Sequence, residues 1–148
     1  MRFWDSSAIL PLCLTERETA ALRRILDEDE SIAAWWGTPV ECFSAFARLR
    51  REKLLTTAEE SRAREFLSIL AASWTEIQPT QRVRDGAARA LLLHPLRAAD
   101  SLQLSAALLW AHGDTTGCHF VCLDQGLRQA ARREGFVVLP EQPAALEG

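Results

Sequence analysis

No apolar run in these 148 residues approaches the ~20 that a helix needs to cross a bilayer, so a membrane-spanning helix is excluded. The opening stretch MRFWDSSAILPLCL carries one arginine and then sets an aspartate among its apolar residues. That is a poor secretion signal, and a cytoplasmic location is the expectation. Cysteine is sparse: Cys13, Cys42, Cys118 and Cys122 sit in apolar or strand-like surroundings without the density of a disulfide scaffold, and read as reduced thiols. There is no internal repeat, no low-complexity tract and no Gly/Ser linker. Phosphate-cradling glycine loops, the dinucleotide fingerprint and the Gly-x-Ser-x-Gly elbow are all missing, which removes the P-loop, Rossmann and α/β-hydrolase readings. Charge of one sign is missing too. Seventeen basic against twenty acidic residues give a net charge of -3, which does not advertise nucleic-acid binding. Lysine is nearly absent, Lys53 being the only one; the other basic residues are arginine, whose planar fork suits phosphate, although a GC-rich genome produces the same bias.

What is present is a packed globule, 48% hydrophobic and 25% charged, of the size of one domain spanning residues 1–148. Short apolar segments predict strands at 1–4, 32–36, 74–79, 119–123 and 136–140. Between them lie helical patterns: a short one from Ser7 to about Leu14, then ERETAALRRILDEDE with an Ala21, Leu22, Ile25, Leu26 stripe. Thr38-Pro39 opens a helix as N-cap and first-turn proline. Thr57 with Glu60 predicts a capping box for TAEESRAREFLSILAAS. TQRVRDGAARALLL, LRAADSLQLSAALLWAH and QGLRQAARRE complete the set, the last closed by Gly135 before a final strand and a short polar tail. Strands alternating with helices predict an α/β, three-layer α/β/α fold with a mostly parallel central sheet. In such sheets the ligand site lies beyond the carboxyl ends of the strands.

Four acids fall on that rim. Asp5 follows the first strand, Asp124 follows the fourth, Glu41 sits in the first turn after the second, and Asp100 in the first turns of the helix before the fourth. Gathered together they repel one another unless a cation compensates, and a hard divalent ion such as magnesium or manganese is the natural one. Each acid singly also has a structural explanation. Asp5 and Asp124 read as helix caps, Glu41 as the partner of Thr38 in a capping box, and Asp100 as a first-turn acid favoured by the helix dipole. Other chemistries are poorer. Cys118, Cys122, His112 and His119 do not hold a zinc ion to one side of a strand. A haloacid-dehalogenase phosphatase needs a second aspartate where Ser7 stands.

The blocks FWDSSAILPL, PVECFSAFARL, LRAADSLQLSAAL and FVCLDQGLRQAARREGFVVL resemble, in order and spacing, those of PIN-domain ribonucleases, and most closely the VapC-type toxins of bacterial toxin–antitoxin pairs. The resemblance covers essentially the whole chain. It implies an acidic metal site on Asp5, Glu41, Asp100 and Asp124. Ser7 stands at the hydroxyl position that orients a carboxylate or a metal-bound water, and Arg97 at a frequently basic one. Gln103 stands where many relatives carry histidine, and the bulky Trp35-Trp36 pair departs from the pattern.

The activity so implied is magnesium-dependent hydrolysis of RNA, with manganese as a substitute. Asp5, Asp100 and Glu41 would bind a first ion, and Asp124 a second ion or the attacking water. Glu41 is alternatively the base that takes the water's proton. Arg48, Arg50, Arg51 and Lys53 would track the RNA backbone, or simply form a solvated helix end. A homodimer and a small antitoxin, whose basic residue reaches the acidic pocket, are the implied partners. Two alternatives stay open: a non-catalytic scaffold that binds RNA or protein, and a structure-specific DNA nuclease.

Overall fold

The computed structural model describes residues 1–141; the polar tail expected at the end of the chain lies outside the described residues. The element order is β1 (Arg2–Trp4), α1 (Ser6–Cys13), α2 (Thr19–Glu28), β2 (Ile32–Trp35), α3 (Thr38–Arg51), α4 (Thr57–Ser73), β3 (Thr75–Ile77), α5 (Gln81–Leu93), α6 (Ala98–Trp110), β4 (His119–Val121), α7 (Gln125–Arg133) and β5 (Val137–Leu139). The five strands form one sheet in the order β3-β2-β1-β4-β5, and every pairing is parallel. The expectation of a mostly parallel sheet is met in full.

Strand periodicity sorts the core into two halves, because successive side chains point to opposite faces. Phe3, Ala33, Phe120 and Val138 pack with α5, α6 and α7 residues such as Val83, Leu104 and Leu127. Trp4, Ile32, Ala34 and Val121 pack the other way, against Ile9, Leu22, Phe46 and Leu67 from α1 to α4. Connection handedness dictates this division. The chain leaves β1 in one direction through β2 to β3, crosses back to β4, and then continues outward to β5. Right-handed crossovers running in opposite directions lay their helices on opposite faces. The reversal falls between β1 and β4, the place where such sheets open a crevice.

Two helix starts differ from the sequence reading. The α3 N-cap is Gly37, and Thr38 is already helical with no side-chain capping bond. The expected box between Thr38 and Glu41 is therefore absent, and both side chains are free for other partners. The capping box of α4 is formed by Thr56 and Glu59, one residue earlier than expected. Glu60 instead accepts from Arg50 Nε at 2.9 Å, which ties α4 to α3. Among the described residues no helix is long and apolar enough to cross a membrane.

Candidate active site

β1 and β4 end side by side, with Trp4 in register with Val121, and the next residue of β1 still donates its N–H to Val121 at 2.9 Å. That next residue is Asp5. It caps α1 and is 2% exposed. Its two carboxylate oxygens have opposite surroundings. Oδ2 accepts from the Ser7 backbone N–H at 3.1 Å, from the Ser7 hydroxyl, and from the Cys122 thiol at 3.5 Å. Oδ1 is buried and has no partner at all. A buried carboxylate oxygen without a donor is rare because its desolvation goes uncompensated. Burial pushes the Asp5 carboxyl upward, against the opposing effect of its hydrogen bonds.

Glu41, in the first turn of α3, accepts from Ser6 Oγ at 3.0 Å on one oxygen and from Gln103 Nε2 at 2.9 Å on the other. Its carboxyl is nonetheless pushed up to about 7, by burial first and then by the negative charge of Asp5. Asp100, in the first turn of α6, is pushed up to about 6 by partial burial, then by Asp124 and Asp5, with Arg97 opposing. Asp124 caps α7, accepting the Leu127 N–H at 2.9 Å. Asp5, Ser6, Ser7, Glu41, Asp100 and Asp124 line one cavity of about 150 Å³, together with Leu10, Cys42 and Ala45. The structure thus brings together all four acids and Ser7. A larger cavity of about 580 Å³, walled by residues such as Leu12, Leu49, Leu55 and Phe66, lies elsewhere and gathers no such set of like charges.

The structural readings of the acids fare unequally. Asp5 and Asp124 are helix caps as well as cavity residues, so capping and convergence coexist. Glu41 caps nothing. The sequence names Gln103 and Cys122 without giving either a place in the site, and passes over Ser6. Ser6 holds Glu41, Gln103 bridges Glu41 to the Thr38 hydroxyl at 3.0 Å, and Cys122 points its thiol at Asp5. Burial keeps that thiol protonated and hence a donor. The FVCLD block could have hinted at Cys122, since it alternates with Val121 and so shares the sheet face of Phe3 and Phe120, the face on which alternation also sets Asp5.

The basic end of α3 is only partly available. Arg50 is engaged by Glu60, and Arg51 lies ten residues beyond Glu41, about 15 Å along the helix axis. Of the tryptophan pair, Trp35 is buried in the core and Trp36 is half exposed.

Among the described residues no three His, Cys, Asp or Glu side chains stand as a ready-made coordination group. The donor set still suits a hard divalent cation that retains most of its water, for which one or two direct carboxylates suffice. The bare Asp5 Oδ1 and the mutual repulsion of Asp5, Glu41, Asp100 and Asp124 both describe a cavity short of positive charge.

No family model matches the chain, and no curated protein matches it. Among solved structures it is similar to FitAcB from Neisseria gonorrhoeae, with a TM-score of 0.62 and 18% identity over 95% of this chain and 98% of that chain. A likeness at that identity shows the fold. The architecture is three-layer and PIN-like.

Proposed function

We propose that this chain is a metal-dependent endoribonuclease of the toxin type, held in check by a small antitoxin. One observation carries the reading: the partnerless, buried Oδ1 of Asp5 in a cavity where four acids from distant parts of the chain converge. Asp5 and Asp100 would hold a magnesium ion, or manganese in its place, with Glu41 and Asp124 completing the acidic rim. Such an ion, when bound, lowers the pKa of water and offsets charge developing on phosphate oxygens. Ser7 fixes the Asp5 carboxylate by loading its other oxygen. Glu41, whose carboxyl lies near neutrality, is suited to take or return a proton at the edge of the cavity. Asp124, with one oxygen committed to its helix cap, would hold a second ion or orient the attacking water with the other.

The same acidic cavity is a receptor for an antitoxin's guanidinium, which would supply the missing positive charge and occupy the ion's place. Trp36, just before α3, and Val40, in its first turn, are exposed apolar side chains that suit a homodimer contact. The deciding experiment is mapping RNA ends after expression of the native chain and of Asp5→Asn, with purified protein assayed in magnesium and in EDTA. The expected result is magnesium-dependent RNA cleavage by the native chain alone. Binding of RNA without cleavage would favour the scaffold reading. Cleavage confined to branched or flapped DNA would favour the DNA nuclease, and full activity of Asp5→Asn would remove the site.

A further inference from the structure

Gln103 is fully buried on α6, one turn beyond Asp100, and its amide is used on one side only. Nε2 donates to Glu41 Oε2 at 2.9 Å and to Thr38 Oγ1 at 3.0 Å, while Oε1 finds no partner. Turned the other way, the amide would set its oxygen against a carboxylate, so Glu41 fixes its orientation. A methionine or leucine would fill the same space without stranding a buried carbonyl oxygen, and packing alone therefore does not call for glutamine. The second oxygen of Glu41 is held from the opposite side by Ser6 Oγ at 3.0 Å. Glu41 thus meets the cavity with each oxygen tied to a different helix, whereas Asp5 collects all its donors on one oxygen and leaves the other bare.

Resting on the nuclease reading above, we propose that Gln103 is a positioning residue that acts through Glu41. It locks the carboxylate in one orientation at the cavity edge, so that Glu41 works on water or substrate while the direct cation contact falls to Asp5. The bridge to Thr38 makes the lock rigid, because Thr38 is itself buried and fixed in the first turn of α3. A carboxylate released from this bridge is free to rotate, and misplacement by about 1 Å costs up to 10²-fold in rate.

The test is a double-mutant cycle of Gln103→Met and Glu41→Gln, with RNA cleavage, magnesium binding by calorimetry and thermal melting in EDTA measured on each purified protein. Gln103→Met is expected to lower kcat by about tenfold to a hundredfold with KM for RNA changed less than threefold. In the Glu41→Gln background the same substitution should change kcat less than twofold. Magnesium affinity should stay within threefold of native in Gln103→Met and be lost in Asp5→Asn. Gln103→Leu carries the same test should the methionine variant melt far below native. Native kcat in a well-folded Gln103→Met protein would overturn the proposal, as would an undiminished loss in the Glu41→Gln background. The nuclease reading fails separately, by full magnesium-dependent activity of Asp5→Asn.

Discussion

The Ser7 hydroxyl joins Asp5 to the far side of the chain: it donates to Asp5 Oδ2 and accepts the backbone N–H of Leu123 at 2.9 Å. One oxygen atom thereby couples the carboxyl end of β1 to that of β4, across the point where the strand order reverses. Leu123 is the residue before Asp124, so the same bond sets the approach of two of the four acids.

Ser7→Ala is accordingly expected to affect both stability and activity. It leaves the Leu123 N–H without its acceptor and removes one of three donors to Asp5, a loss of about 1–2 kcal/mol for a part-buried pair of bonds. The Asp5 carboxylate would retain the Ser7 N–H and the Cys122 thiol, so activity should fall by about tenfold and not vanish. Urea melts and cleavage rates check this. A variant as stable and as active as the native chain would show that the bridge is dispensable.

The acidic cavity sets an expectation for pH. Glu41 at about 7 and Asp100 at about 6 both lie above their ordinary values of 4.5 and 3.8, so between these limits the folded chain holds more protons than the unfolded one. Their contribution is then destabilising at neutral pH, and it fades as pH falls from about 7 towards the ordinary carboxylate range. Glu134 opposes the trend, since His94 and Arg89 hold its carboxyl below the usual value, and for this reason the variant is compared with native at each pH. Asp100→Asn should raise stability in EDTA at pH 7.5 by about 1 kcal/mol, a figure discounted for the solvent that screens this half-buried group. The gain should shrink to nothing near pH 4. Magnesium should stabilise the native chain by binding linkage and do little for the variant. A variant that melts below native in EDTA would make Asp100 an ordinary first-turn acid.

Much of this arrangement was legible in the sequence, and the boundary has a physical cause. Strand–helix alternation and acids at strand ends are local signals, and a rule about sheet edges converts them into convergence at one rim. Asp5 and Asp124 are readable in this way because β1 and β4 deliver them directly. The hydrogen bonds that orient the acids are not local. Ser6 reaches Glu41 from α1, Gln103 reaches it from α6, and Cys122 reaches Asp5 from the end of β4, all across the sheet edge. Thr38 shows how a local rule misleads. Thr-Pro followed by glutamate reads as a cap and its box, but Gly37 takes the cap, and the threonine hydroxyl serves Gln103. Likewise Arg50, counted from the sequence among groups able to track RNA, is held by a carboxylate of α4.

Trp36 gives a test of the partner surface that separates association from folding. Its backbone is fixed independently of its ring, since its N–H donates to Ile77 at 3.0 Å and extends the β2–β3 pairing. The ring meets the buried Trp35 edge-on, with centroids 6.3 Å apart, and is half exposed. Four residues further on, Val40 is 65% exposed, a second apolar side chain open to solvent near the start of α3. Trp36→Ala should lower the stability of the dilute monomer by about 1–2 kcal/mol, since the covered half of the ring and its edge-on contact with Trp35 are lost. At a homodimer contact the same change removes an aromatic anchor, and the dimer Kd should rise at least tenfold, or about 1.4 kcal/mol. Sedimentation velocity over a range of concentrations reads this directly, with urea melts at the lowest concentration as the control. A native chain that stays monomeric at micromolar concentration would count against the homodimer, and a variant that dimerises as well as native would place the dimer contact elsewhere.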